Sequence, residues 1–415
     1  LLKAIPRLDS DKTRRLVAID GLPPNPALKT QRCPFYERCP YRTEKCNVEE
    51  RPPYIDYSPT HSAACWHSAE NLRQTVHTEI AGVGSKTISS EPILELINVK
   101  KYFPVYKGIA RRKVADVKAL DDVNFKIYKG ETLGLVGESG CGKTTLAKTI
   151  LRLYDVTEGS IMFNGRDISR LPERKLKDVR REVQFIFQDP FGSLDPRQSA
   201  GSIVGEAIKT HKLAKTKAEY NDRVDELFRA VGLDPALKNR VPHEFSGGQR
   251  QRLSIASALA SDPSFIICDE PISALDVSIQ AQIINLLIDL QAERGLTYLF
   301  IAHDLSVVRH ISDRIVVMYL GRVVEISPWN ELYENPLHPY TKALLSAIPI
   351  PDPVVEKQRV RTRIEGEVPS LINRPDGCVF HPRCPFATDE CRASAPSLVD
   401  CGNGHQVACH NYRNI

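Results

Sequence analysis

Thr132-Leu133-Gly134-Leu135-Val136-Gly137-Glu138-Ser139-Gly140-Cys141-Gly142-Lys143-Thr144 is the stretch that decides the fold. Its first five residues form a short apolar run, the length of a buried strand. The next eight fit G-x-x-x-x-G-K-[ST], and Lys143 to Leu153 reads as a helix. Glycines at 137, 140 and 142 let backbone N–H groups close around phosphate oxygens, and a helix N-terminus adds its positive end. Lys143 is placed to meet β- and γ-phosphates and Thr144 to bind Mg²⁺, with Ser139, Cys141 and Thr145 completing the cradle. Cys141 and Cys268 read first as small packed residues, with no support beyond position for a redox role.

Working outward, Phe265-Ile266-Ile267-Cys268 is a second buried strand, and it ends in Asp269-Glu270. Carboxylates at that strand end point at the same crevice, one toward Mg²⁺ and one toward a water attacking the γ-phosphate. Strands are expected at 93–99, 119–127, 297–301, 314–319 and 322–326. A mostly helical stretch is expected over 189–262 and a long helix from Val277 to about Arg294. Strands alternating with helices around a glycine loop make an α/β chain with a parallel core.

The composition is that of a soluble globular chain, 42% apolar and 26% charged. The net charge of +5 is spread without a basic block, so a dedicated nucleic-acid binder is not expected. No run reaches the ~20 apolar residues of a bilayer span, which leaves peripheral membrane association. No export signal is visible, so the eleven cysteines read as metal ligands or free thiols before disulfides.

Eight of those cysteines form a repeat. Cys33, Cys39, Cys46 and Cys65 have gaps of five, six and eighteen residues; Cys378, Cys384, Cys391 and Cys409 have gaps of five, six and seventeen. Leu1-Leu2-Lys3-Ala4-Ile5-Pro6 echoes Leu344-Leu345-Ser346-Ala347-Ile348-Pro349, and Arg38-Cys39-Pro40-Tyr41 echoes Arg383-Cys384-Pro385-Phe386. A period of about 343 residues is too long for a solenoid and reads as two copies of one terminal module. The expected layout is a Cys-rich tail of a preceding domain at 1–70, a linker at 71–91, a complete domain at 92–334 and its own irregular Cys-rich tail at 335–415. The first tail, parted from its domain, is expected to be poorly anchored, and the second to pack on the core.

With further residues in order, the chain resembles the ATP-binding domain of ABC transporters over about 93–330. Phe245-Ser246-Gly247-Gly248-Gln249 resembles that family's signature, Gln188 its Q-loop, Ser273-Ala274-Leu275-Asp276 its D-loop and His303 its switch histidine. Phe103, or its neighbour Tyr102, falls where the family places a ring against adenine, with plain core packing the other reading for each. The resemblance implies a RecA-like P-loop core, an antiparallel β subdomain and a helical subdomain. It also implies ATP hydrolysis with Glu270 as general base, His303 as γ-phosphate sensor, Gln188 as the link to membrane subunits, and Mg²⁺ held by Thr144, Gln188 and Asp269. Such domains work as head-to-tail pairs, so Ser246, Gly247, Gly248 and Gln249 would serve the opposite ATP site.

Asn335-Pro336-Leu337-His338-Pro339-Tyr340 and the Cys-rich ending resemble oligopeptide/dipeptide-type importer ATPases, some of which carry two cassettes in one chain. That resemblance implies peptide import as a translocase at the cytoplasmic face of a bacterial inner membrane. The implied partners are a second ATPase domain, two transmembrane permeases and an extracytoplasmic solute-binding protein. It also implies a four-iron four-sulfur cluster on Cys378, Cys384, Cys391 and Cys409, with Cys33, Cys39, Cys46 and Cys65 as the first tail's equivalent. Spacing leaves zinc and metal-free thiols open beside the cluster. Cys401 has no counterpart in the first tail and is set aside. Two other functions stand against this: a soluble ABC ATPase of ribosome or nucleic acid, and a regulatory Cys module with secondary ATPase activity.

Overall fold

The computed structural model describes residues 31–48, 50–67, 86–108, 111–349, 356–357 and 364–415, with positions 4, 6, 12, 15–19 and 21. Residues 71–85 of the expected linker lie outside them.

The first tail holds a small hairpin of β1 (Tyr54–Ser58) and β2 (His61–Ala64). Then β3 (Pro92–Lys107) and β4 (Arg112–Tyr128) form a long antiparallel pair, well beyond the two short strands expected. β5 (Thr132–Val136) leads through the glycine loop into α1 (Lys143–Ile150). β6 (Glu158–Phe163) and β7 (Arg166–Asp167) join β3 and β4 in a four-stranded sheet of order β4-β3-β6-β7.

After α2 (Glu173–Glu182) and β8 (Val183–Ile186) comes the helical part. Its helices are α3 (Pro190–Ser193), α4 (Ala200–Val204), α5 (Glu206–Thr210), α6 (Lys217–Ala230) and α7 (Gly247–Leu259). β9 (Phe265–Asp269), α8 (Val277–Arg294), β10 (Thr297–Ile301), α9 (Leu305–Ile311), β11 (Arg314–Tyr319) and β12 (Arg322–Pro328) follow.

With β13 (Val399–Asp400) and β14 (Gln406–Val407) from the chain's end, the main sheet has eight strands in the order β13-β14-β12-β11-β5-β10-β9-β8. Five consecutive members, β11, β5, β10, β9 and the edge strand β8, run parallel. Alternate side chains of these strands enter two different cores. Ile266, Cys268, Tyr298, Phe300, Ile315 and Val317 face the helical side. Phe265, Ile267, Leu299, Ile301, Val316 and Met318 face the antiparallel sheet. A strand covered on both faces must be apolar at every position, which is why these segments read as unbroken apolar runs.

The ending beyond residue 335 is more ordered than its composition suggests. After α10 (Trp329–Glu334) it forms α11 (Pro339–Ser346) and α12 (Asp389–Ala393). Its last strands, β13 (Val399–Asp400) and β14 (Gln406–Val407), extend the main sheet by pairing Val407 with Glu325 and Gln406 with Ile326. Glu325 is fully buried and accepts from the N–H groups of Leu337 and His338 and pairs with His405. A buried carboxylate with three partners binds tail to sheet.

The first tail departs from expectation. Its described positions 12–19 are anchored on the motor. Asn285 of α8 brackets Leu16, accepting its N–H at 3.2 Å and donating to its carbonyl at 2.9 Å. Ile19 is held likewise by Ser278 Oγ at 3.2 Å and Gln282 Nε2 at 2.7 Å, and Arg15 pairs with Asp289. Positions 278, 282, 285 and 289 share one helix face, a polar row whose first three members meet backbone and whose last meets the Arg15 side chain. Leu16 and Ala4 are buried in the helical-side core.

Candidate functional site

β5 and α1 supply the phosphate loop. At Gly137 φ is +153°, and a Cβ would lie 2.2 Å from the Met318 carbonyl oxygen, so only glycine lets the chain leave the strand here. The Lys143 ammonium donates to the carbonyls of Gly137 at 2.7 Å and Glu138 at 3.1 Å. Cys141 is buried beneath the loop and burial pushes its thiol up, the condition of an inert packed cysteine.

β9 supplies the carboxylates. Asp269 is buried, which raises its pKa, and its Oδ1 accepts from Thr144 Oγ1 at 3.2 Å. Glu270 turns off the strand at φ +46°, a left-handed conformation that costs a non-glycine residue about 1 kcal/mol. Its N–H is held by the Ile301 carbonyl at 3.0 Å and its own carbonyl by Ser273 Oγ at 3.1 Å. The carboxylate then receives Gln188 Nε2 at 2.7 Å, and His303 Nδ1 stands 3.6 Å away.

These groups line one pocket of about 420 Å³, whose walls are Ala119, Ser139, Gly140, Gly142, Lys143, Thr144, Thr145, Gln188, Glu270, His303 and Leu371. Gly137, Cys141 and Asp269 are not among the lining residues, and Asp269 reaches the pocket through Thr144. Phe103 is not among the lining residues. It meets Tyr154 edge-on at 5.3 Å, with Lys101 over its ring at 4.8 Å. Tyr102 is committed elsewhere, donating its hydroxyl to Asp121. Ser246, Gly247, Gly248, Gln249 and Asp276 are also absent from the pocket. Ser246 and Gln249 close a capping box at the start of α7, and Asp276 caps α8 through Ser278 and Ile279.

Sequence reasoning missed the tail's part in this site. Leu371 lines the pocket, and its carbonyl accepts from Lys118 N–H at 3.2 Å. Arg374 and Arg322 converge on Asp121; burial alone would raise that carboxyl, but they and Tyr102 hold it well below the usual range. Arg383 pairs with Glu138 of the phosphate loop. No local pattern announces contacts across more than two hundred residues.

The thiols of the second tail gather. Burial pushes Cys409 up to about 11, and neighbouring Cys378, Cys384 and Cys391 act in the same direction. Thr388 Oγ1 and Asn411 Nδ2 lie 3.3 and 3.9 Å from Cys391 Sγ. Cys401 is exposed on the neighbouring turn. In the first tail Cys39 is raised by burial and then by Cys46, Cys33 and Cys65, while His67 Nε2, unforeseen in the sequence, stands 3.5 Å from Cys46 Sγ. Among the described residues, no three His, Cys, Asp or Glu side chains converge on a single metal ion.

A phosphate loop, a strand-end Asp-Glu pair, and glutamine and histidine side chains around one pocket define an ATPase of the ATP-binding cassette class. The "ABC transporter" family model matches residues 120–273. The model "Oligopeptide/dipeptide transporter, C-terminal region" matches 324–391 and also 1–46. The oligopeptide transport ATP-binding protein AppF of Bacillus subtilis is 57% identical over 78% of this chain and 98% of its own length. OppF of Salmonella typhimurium is 50% identical over 76% and 95%. Among solved structures, the cassette MJ0796, dimeric and bound to ADP and Pi, superposes with TM-score 0.51 at 31% identity, over 57% of this chain and 98% of its own. The chain belongs to the family of ATP-binding subunits of ABC transporters with the oligopeptide/dipeptide C-terminal region.

Proposed function

We propose that this chain is the ATP-hydrolysing motor for import of peptides, or a related small solute, through separate permeases served by a solute-binding protein. The observation that carries the reading is the importer-type tail built into the cassette's own sheet and phosphate loop. Soluble action on ribosome or nucleic acid lacks a matching feature. Among the described residues, no helix is long and apolar enough to cross a membrane; peripheral attachment at the cytoplasmic face of the inner membrane fits the role.

In this reading Glu270 accepts a proton from water as the water oxygen attacks the γ-phosphorus, and the bond to the β-phosphate breaks with its oxygen leaving on ADP. His303 contacts the γ-phosphate, Lys143 spans the β- and γ-phosphates, and Phe103 is the candidate for adenine. Thr144, Gln188 and Asp269 would hold Mg²⁺, which supplies neutralisation of phosphate charge. Ser246, Gly247, Gly248, Gln249 and Asp276 serve the ATP site of a second cassette, a role supported by their absence from the lining of this chain's own pocket. Residues 1–70 are the tail of that preceding cassette, 71–91 a linker, 92–334 the motor and 335–415 its own tail. Support comes from the tail's geometry, which recurs at an offset of 345 residues. Tyr36 N–H reaches Cys33 O at 3.0 Å as His381 N–H reaches Cys378 O at 3.1 Å, and Thr43 and Thr388 sit beside Cys46 and Cys391.

Cys378, Cys384, Cys391 and Cys409, and the first tail's four, hold four-iron four-sulfur clusters. A cluster would cross-link each tail. Two measurements test the proposal. Proteoliposomes carrying the permeases, this chain and its preceding cassette should take up labelled tripeptide with ATP; ribosome association without uptake would replace importer with soluble ATPase. Purified under nitrogen, the chain should absorb at about 400 nm with stoichiometric iron; a colourless, zinc-loaded protein would refute the cluster.

A further inference from the structure

We propose that the tail loop 370–374 closes the base end of the nucleotide pocket, with Leu371 packing on the base and Arg374 as the positioning residue that holds it there. This rests on the reading of the pocket as the ATP site.

The order of the main sheet sets the direction in which a nucleotide lies. The phosphate loop follows β5. On one side of β5 stand β10, β9 and β8, and just beyond their ends come His303, Glu270 and Gln188. The γ-phosphate belongs on that side, beside the general base. The rest of the nucleotide then runs the other way, toward β11 and the turn into β12. At that turn a Cβ on Gly321 would lie 2.7 Å from the Ala119 carbonyl oxygen, and one on Gly142 of the phosphate loop 2.5 Å from the same oxygen. Ala119 is thus wedged between loop and turn, at the end of the pocket away from Glu270. It is the extra residue of a bulge in β4, where Lys101 pairs with Leu120 and Tyr102 with Lys118, and bulges re-aim side chains.

The tail completes this end. β4 is the edge of its sheet, so its outer backbone groups lack a strand partner. The Leu371 carbonyl takes the Lys118 N–H at 3.2 Å, beside Ala119. Three residues further along both segments, Arg374 pairs with Asp121. The equal spacing fixes how the loop lies along the edge, and Ser370 Oγ, accepting the Ile372 N–H at 3.1 Å, bends it at Leu371. The second anchor is buried, its Arg374 and Asp121 side chains only 9% and 6% exposed. Asp121 also receives Arg322 Nε at 2.9 Å and Nη2 at 2.6 Å, and the Tyr102 hydroxyl. One carboxylate therefore ties β3, β4, β12 and the tail together behind Leu371.

The chemistry of this wall states what it takes. Ala119 and Leu371 have no side-chain donor or acceptor, and the Leu371 carbonyl is occupied by Lys118. Such a wall covers the flat face of a ring and does not read its edge, so Leu371 serves adenine and guanine alike.

The test uses the full chain and calorimetric binding of AMP-PNP, GMP-PNP and inorganic tripolyphosphate, which has the phosphates without a base. Leu371→Ala should weaken both nucleotides by the same factor, about three- to tenfold, and leave tripolyphosphate affinity within about twofold of wild type. Leu371→Met, of similar volume, should bind nucleotide as wild type does. Arg374→Ala should weaken both nucleotides likewise and raise KM for ATP more than it lowers kcat. Adding Leu371→Ala to it should cost little more. Wild-type nucleotide affinity in Leu371→Ala, or an equal loss for tripolyphosphate, overturns the base contact. A loss confined to one nucleotide overturns a wall that covers without reading. Fully additive losses in the double variant overturn Arg374 as its support. If Arg374→Ala fails to fold, Arg374→Lys, which keeps the charge but not the guanidinium plane, reads the same anchor with a smaller loss. A wild-type chain that binds none of these probes refutes the ATP site itself, an outcome distinct from all the others.

Discussion

At the scale of single residues, the site depends on where backbone strain and charge are placed. Glu270 pays for its left-handed backbone with bonds from Ile301 and Ser273, and that turn brings its carboxylate to Gln188 and His303. Glu270→Gln keeps size and hydrogen bonding but loses the basic oxygen. Nucleotide affinity should stay near wild type while turnover falls by about 10²–10⁴. Single-turnover ATPase assays beside analogue binding check this; near-normal turnover would remove Glu270 from the base role. Lys143, Thr144 and Glu270 were readable in the sequence because their chemistry follows from the local backbone that carries them. Phe103 was less so, since whether a ring stacks on a ligand or on Tyr154 is settled by distant neighbours.

At the scale of elements, the apolar runs announced the central strands, while the length of β3 and β4 and the order in the last eighty residues went unread. Those features depend on pairing partners rather than on local pattern. Helix α11 shows the same dependence. His338 caps it by accepting Tyr340 N–H at its Nδ1, 3.1 Å away, and burial pushes this histidine down from the usual 6.5 to about 4, with Glu325 opposing. His310 on α9 is pushed down to about 4 by burial and by nearby Lys12 and Arg309. For a base whose folded pKa is depressed, the unfolded chain binds the proton first. Stability is therefore full above pH 6.5 and declines as pH falls from 6.5 toward 4. His338→Asn keeps a capping acceptor without the titration, so the loss in urea midpoint between pH 7 and pH 5 should be about half that of wild type. An unchanged loss would show that His338 does not carry the acid sensitivity.

At the scale of the whole molecule, one sheet joins strands from the motor and from the tail, and one pocket joins the phosphate loop to Leu371. The expectation of a loosely held first tail fails at residues 16 and 19, because α8 presents a row of Ser278, Gln282 and Asn285 that satisfies their backbone. Nothing in the composition of either segment signals that fit. By itself, the amino-acid order determined the α/β core, the nucleotide chemistry, the family and the repeated tail. Each rests on residues close in sequence, where spacing dictates geometry. Only the tertiary structure decided that β14 of the tail extends the main sheet beside Glu325, that Leu371 lines the nucleotide pocket, and that Arg383 holds Glu138. Such contacts join positions far apart in the chain, and they exist only once the burial of both cores has fixed how the layers stack.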